Sequence, residues 1–287
     1  MSARFIAEVS SNHHRDLERC LAFIDTAAAI GCAAVKFQLF RVERLFAPEI
    51  LARSAAHRAR ADWELPVAFL PALAERCRAR RVEFACTPFD LEAVGQLADH
   101  VDFYKIASYE LLWDALLLAC AATGKPVVLS TGMATLDEVV RAVGVLRAGG
   151  CAQPTLLHCV SGYPTPADEC NLAAIATLRE ACGCAVGWSD HSVDAAVIAR
   201  AVLRWGAELV EFHLDLDGHG EEYAAGHCWL PAAIGAQIAE LARGERADGD
   251  GRKEPVRCEL ADRNWRADPL DGLRPLRAIR ADWQPQP

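Results

Sequence analysis

The sequence predicts a (β/α)8 barrel over residues 1–243, followed by an irregular extension over 244–287, and three observations carry this. Short apolar, β-branched runs alternate with helix-length segments. The runs are too apolar to have a solvated face, as expected of parallel strands covered by helices. Eight such units in a stretch of this length match the barrel in count and size. An open doubly wound sheet is the competing architecture. Its dinucleotide-binding form needs a glycine-rich turn after the first strand, and here that turn reads Ser10-Ser11-Asn12-His13-His14.

The strands fall at 5–10, 33–38, 82–87, 103–108, 127–130, 155–160, 185–190 and 209–214. Helical stretches are expected at 16–30, 66–80, 112–122, 136–148, 172–181 and 193–205. Thr135 and Glu138 form a capping-box pattern that opens one of these helices. Gly31, Gly124, Gly183 and Gly206 each follow a helix and precede a strand, where a left-handed residue closes the turn. Two regions break the rhythm. Residues 39–65 form a long connection rich in Arg and Ala, of a length that implies a functional or partly helical segment. After about Gly244 the chain becomes rich in Gly, Asp, Arg and Pro.

Composition excludes several classes. The chain has 287 residues, 52% hydrophobic and 24% charged, which is ordinary for a globular protein. A net charge of −9 argues against nucleic acid or an anionic membrane as a partner. No run approaches the ~18 apolar residues of a spanning helix. The start, Met1-Ser2-Ala3-Arg4, lacks a signal-peptide pattern, so a cytoplasmic location is expected. The 12 cysteines are scattered singly through apolar segments and read as reduced, buried thiols.

Polar residues cluster late in the strands. Glu8, Lys36, Gln38, Thr87, Lys105, Ser108, Ser130, His158, Ser189, His191, Glu211 and His213 all lie at or near strand ends, with Glu110 just beyond the fourth strand. In a barrel those ends share one rim, so these groups converge on one pocket and indicate an enzyme. Only four of the 30 basic residues are lysines, and two of them, Lys36 and Lys105, sit inside apolar strands. Each buried ammonium requires an anion: an internal carboxylate such as Glu8 or Glu110, or a bound phosphate or carboxylate. A Schiff-base lysine is a third use. His191 and His213 end neighbouring strands and are placed to share a metal ion, with imidazole favouring manganese, iron, zinc or cobalt over calcium.

In order and spacing, these motifs resemble the N-acetylneuraminate (sialic acid) synthase family over residues 4–231. The matching segments are Ala7-Glu8 with Asn12-His13, Lys36-Phe37-Gln38, Thr87-Pro88-Phe89-Asp90, Lys105-Ile106-Ala107-Ser108-Tyr109-Glu110 and Ser130-Thr131-Gly132-Met133. His158-Cys159, Tyr163-Pro164, Gly187-Trp188-Ser189-Asp190-His191 and Glu211-Phe212-His213 complete them. The resemblance implies a barrel that condenses phosphoenolpyruvate with an open-chain amino-sugar aldehyde, giving a nine-carbon 2-keto acid and phosphate. It assigns phosphoenolpyruvate to Lys36, Thr87, Lys105, Ser108, Ser130 and Ser189, and the sugar to Gln38, Glu110 and Tyr163. Glu8 would handle protons. His191 and His213 would hold a divalent metal, manganese first, with magnesium, cobalt or zinc as alternatives, to polarise the aldehyde. The expected partners are these small molecules, and a homodimer is compatible with the family.

The sequence also departs from the family pattern. His14-Arg15-Asp16 stands where a glycine is usual, and Ser161 where an asparagine is. The family's Gly-Pro-Asp-His run corresponds to Ala224-Ala225-Gly226-His227, so a sugar-contacting aspartate is missing, with Glu221 or Glu222 as candidate replacements. The family's C-terminal antifreeze-like domain is not expected in the tail. Two other functions follow from these departures and from the lysines: a non-catalytic ligand-binding homologue, or a Schiff-base aldolase or lyase using Lys105 or Lys36.

Overall fold

The computed structural model describes residues 3–284; the expectations for residues 1–2 and 285–287 lie outside them. The chain divides after Arg243 into two compact units. In the first, eight parallel strands close a ring: β1 (Arg4–Glu8), β2 (Ala34–Leu39), β3 (Glu83–Pro88), β4 (Phe103–Ile106), β5 (Val127–Ser130), β6 (Thr155–Cys159), β7 (Val186–Asp190) and β8 (Leu209–Leu214). Each pairs with the next and β8 pairs back onto β1, which makes the (β/α)8 barrel. The helices that cover it are α1 (Leu17–Ala29), α2 (Leu70–Arg80), α3 (Leu91–Leu97), α4 (Asp114–Ala122), α5 (Leu136–Ala148), α6 (Ala174–Cys182) and α7 (Ala195–Leu203). Helix α8 (Pro231–Asp248) begins after β9 (Cys228–Trp229), a short strand paired to the outside of β8.

Local chemistry sets these boundaries. Asp16 caps α1 by accepting from the backbone of Glu18 and Arg19, and Thr135 with Glu138 completes the capping box of α5. The long connection after β2 is mostly helical, in short pieces at Val42–Leu45, Pro48–Arg53, Ala55–Ala59 and Arg60–Trp63. Helix α3 and strand β9 are additions to the sequence reading, and α8 runs past Gly244 to Asp248, so the extension begins in helix. The second unit otherwise has short turns of helix, held by Arg280 on Asp271 at 2.8 Å and by Trp265 edge-on to Trp283. All 12 cysteines are free, with Cys258 exposed and the others buried.

The period-2 alternation of a strand sorts residues to the two sides of the barrel wall. Ala7, Val35, Phe37, Phe84, Tyr104, Leu129, Trp188 and Phe212 point outward into the main core under the helices. Ile6, Ala34, Ala85, Phe103, Val128, Leu157 and Leu209 point inward and form a separate apolar plug. Seven strands contribute one plug residue each. The eighth, β7, contributes Gly187, where an added Cβ would lie 2.0 Å from the Leu209 carbonyl oxygen and 2.8 Å from Leu157. Two residues further along every strand except β6, which has Cys159, the inward positions are polar. The floor is therefore apolar and the layer above it is charged.

Because the nearest obstacle to a side chain at Gly187 is backbone, it has no rotamer with which to escape. Gly187→Ala is expected to cost about 3 kcal/mol or more, measured by chemical denaturation; a variant as stable as the parent would contradict the packing described.

Candidate active site

Glu8, Lys36, Thr87, Lys105, Ser130, Ser189 and Glu211 each stand two positions after a plug residue and are all buried. Gln38 and His213 extend the same inward rows by one step. Lys36 forms an ion pair with Glu8, donates to the Thr87 hydroxyl at 3.2 Å and lies 3.9 Å from Glu211. Lys105 lies 3.1 Å from Glu211, which also accepts from the Ser189 hydroxyl at 3.2 Å. Gln38 donates to Glu8 at 2.6 Å and to Ser10 at 3.2 Å. Burial opposes ionisation of Glu211, but Lys105 and Lys36 outweigh it and hold its pKa below the ordinary carboxylate value. Burial likewise opposes the charge on Lys36, and Glu211 and Glu8 more than compensate.

The remaining expected residues come from turns beyond the strands. Ser108 and Glu110 lie on the short turn Ser108–Glu110 after β4, where the Ser108 hydroxyl accepts from the Gly132 amide at 2.9 Å. The Ser130 hydroxyl is buried and has no hydrogen-bond partner among the described residues. Tyr163, in the loop after β6, packs its ring 4.1 Å from that of His191. His191 follows β7, and its Nδ1 donates to the Val160 carbonyl at 2.9 Å. The His191 and His213 ring centroids are 5.3 Å apart. His158 faces the other way, against Trp188, with Nε2 donating to the Cys170 carbonyl at 3.0 Å, and takes no part in the cluster.

Three participants have roles that the sequence reading does not assign: Glu211 is expected only as one of the converging polar groups, Glu222 only as a candidate sugar contact, and His227 not at all. Glu211, not Glu110, is the carboxylate that pairs with Lys105; its signal was its position two before His213 on an inward row. Glu222 and His227 enter from the segment after β8, where no strand period indicates which way a side chain points. Asp215 anchors that segment, accepting from the Gly220 amide at 3.0 Å and pairing with Arg19 at 3.1 Å. Asn12 donates to the Leu214 carbonyl at 3.0 Å. Glu222 then lies over the rim with its carboxylate 2.7 Å from His213 Nδ1.

Comparison with known proteins bears on the family and the barrel. The NeuB family model matches residues 23–253. The chain belongs to the NeuB family. It is 35% identical over 257 residues to an uncharacterized protein of Methanocaldococcus jannaschii, covering 88% of this chain and 74% of that one. It is 32% identical over 269 residues to N,N'-diacetyllegionaminic acid synthase of Campylobacter jejuni, covering 88% and 80%. The solved N-acetylneuraminic acid synthetase of Leptospira borgpetersenii superimposes with a TM-score of 0.80 at 31% identity, covering 91% of this chain and 90% of that one. Other members of the NeuB family are thus named as synthases of more than one sugar acid, and their barrel is the one built here. No helix among the described residues is long and apolar enough to cross a membrane.

Glu110 provides a test of the rim's electrostatics. Burial pushes its carboxyl up to about 7 from an ordinary 4.5, with Lys105 pulling the other way. A raised acid binds more protons folded than unfolded, so its contribution falls as pH rises from 4.5 through 7. Glu110→Gln removes that penalty and is expected to be more stable than the parent at pH 8, by up to about 3 kcal/mol. The gain should vanish near pH 4.5. Urea denaturation at the two pH values reads the difference, and an equal effect at both would contradict it.

Proposed function

We propose that the chain condenses phosphoenolpyruvate with an open-chain amino-sugar aldehyde, giving a nine-carbon 2-keto sugar acid and inorganic phosphate. The observation that supports this most directly is the pair of buried ammonium groups, Lys36 and Lys105, ringed by the hydroxyls of Thr87, Ser130 and Ser189 above an apolar floor. Such a layer is suited to a compact polyanion. The motif matches and the named relatives point to the same substrate class.

The reaction needs no protein nucleophile. Carbon three of the enol attacks the aldehyde carbon, forming the new carbon–carbon bond, and the aldehyde oxygen takes a proton to become a hydroxyl. Water adds to carbon two, and the resulting tetrahedral centre collapses to the ketone as its bond to the phosphate oxygen breaks. Glu8, buried between Lys36 and Gln38, is the group assigned to move protons at carbon two. Lys36, Lys105, Thr87, Ser108, Ser130 and Ser189 hold the phosphoenolpyruvate, and Gln38, Glu110 and Tyr163 face the sugar. Fixing both reactants in one cup supplies most of what an enol addition requires.

A divalent ion fits His191 and His213. The Nδ1 atoms face the Val160 carbonyl and the Glu222 carboxylate, so each Nε2 is the nitrogen that would take a ligand, with the Cys159 thiol also beside His191. With metal–nitrogen bonds of ~2.1 Å, two imidazoles on one ion have centroids roughly 5 Å apart, close to the 5.3 Å here. Bound there, the ion would polarise the aldehyde carbonyl. Charge supports it as well. Glu8, Glu211 and Glu222 outnumber Lys36 and Lys105 by one, so a polyanion entering this rim requires further positive charge.

The test is a coupled phosphate assay over a panel of 2-acetamido aldoses with manganese, magnesium, cobalt or zinc. Phosphate release is expected only with both substrates and a metal. Glu8→Gln is expected to lower kcat by about 100-fold or more with phosphoenolpyruvate affinity nearly unchanged. Release with no aldehyde, or borohydride trapping of pyruvate on Lys105 or Lys36, would overturn the proposal in favour of other chemistry.

A further inference from the structure

Three side chains converge on Glu222, which the sequence offers only as a candidate replacement for the missing aspartate. His213 Nδ1 lies 2.7 Å from its Oε2, the Ser11 hydroxyl donates to Oε1 at 3.0 Å, and His227 Nε2 lies 3.5 Å from Oε2. The orientation of Glu222 also answers the question raised by the missing aspartate. Its carboxylate is turned towards His213 and His227 on one oxygen and Ser11 on the other, so it is not aimed as a sugar contact.

We propose that Glu222 is a positioning residue for the divalent ion: it accepts Nδ1–H of His213, fixes that tautomer, and so presents Nε2 as the metal ligand. This rests on the reading that His191 and His213 hold the ion. The two rings are then oriented in parallel ways, His191 by the Val160 carbonyl and His213 by a carboxylate. An anionic acceptor makes the imidazole a stronger electron donor than a carbonyl does. The fold builds the contact deliberately: Asp215 and Asn12 pin the segment after β8 to the barrel end, and Ser11 clamps the carboxylate from the first loop.

The same neighbourhood offers a competing arrangement. Ligand atoms of His213, Glu222, His227 and Cys228 lie within 4.8 Å of one another, because β9 pairs Cys228 beside His213. An ion among these four would make Glu222 a direct ligand. The 2.7 Å contact argues against it, since two ligands of one ion at ~2.1 Å bond lengths stand roughly 3.4 Å apart in a tetrahedral site, whereas 2.7 Å is a charge-assisted hydrogen bond.

Two measurements decide the matter. Nitrogen-15 NMR of the metal-free protein reads the His213 tautomer: Nδ1–H is expected in the parent and in Glu222→Asp, and a shift towards Nε2–H or a mixture in Glu222→Gln. Manganese titration without substrates, followed by electron paramagnetic resonance, should show Glu222→Gln weakening the ion by roughly 10–100-fold, Glu222→Asp recovering most of it, and Cys228→Ser within threefold of the parent. An Nε2–H tautomer in the parent, or a Glu222→Gln affinity within twofold, would overturn the proposal. So would a thiolate-to-cobalt charge-transfer band in the cobalt-loaded protein that Cys228→Ser abolishes. The Nδ1–H tautomer combined with no manganese binding would instead remove the metal reading itself, and this proposal with it.

Discussion

Two ammonium groups buried at the mouth of a closed barrel are the constraint on which the rest of the site depends. Lys36 and Lys105 cannot be charged there alone, since desolvating an unpaired ammonium costs several kcal/mol. Glu8 and Glu211 meet that requirement in the absence of any ligand. An ion pair in this position is poor value for stability alone, because well-packed apolar residues would often do as well or better. Its use is to keep two cations desolvated and fixed in place before an anion arrives, so that little reorganisation remains when one binds.

The floor beneath makes this arrangement affordable. The inward residues change from apolar to polar within two positions on every strand but β6, and on β1, β2, β4 and β8 to a charge, so the polar layer rests on a dry plug and faces the open end. Gly187 is part of the same design: without its missing side chain, Leu157 and Leu209 could not close the plug across β7. Position along the strand thus separates what stabilises from what reacts, as the barrel architecture generally does.

Much of this was legible in the sequence because a strand's period of two is a local signal. The strands at 127–130 and 209–214 coincide with β5 and β8, and the lysines were conspicuous as charges inside apolar runs. What escaped detection was not local. Lys105 takes Glu211 as its partner because β4 and β8 face each other across the barrel, a relation no window of sequence contains; Glu110, nearer in the chain, lies on a turn with its Oε2 buried and without a hydrogen-bond partner among the described residues. Glu222 and His227 reach the rim only because Asp215, Arg19 and Asn12 fold the segment after β8 back over it. Helix α3 is short and β9 has two residues, each too brief to impose a readable pattern.

The central claim is that Lys36 and Lys105 form an anion clamp and not merely an internal charge network. Calorimetric binding of phosphoenolpyruvate alone to the parent and to Lys105→Met, with circular dichroism to establish that the variant is folded, tests it most directly. Loss of one charge-assisted contact is expected to weaken binding by roughly 10–100-fold. A folded Lys105→Met protein that binds phosphoenolpyruvate as tightly as the parent would contradict the account.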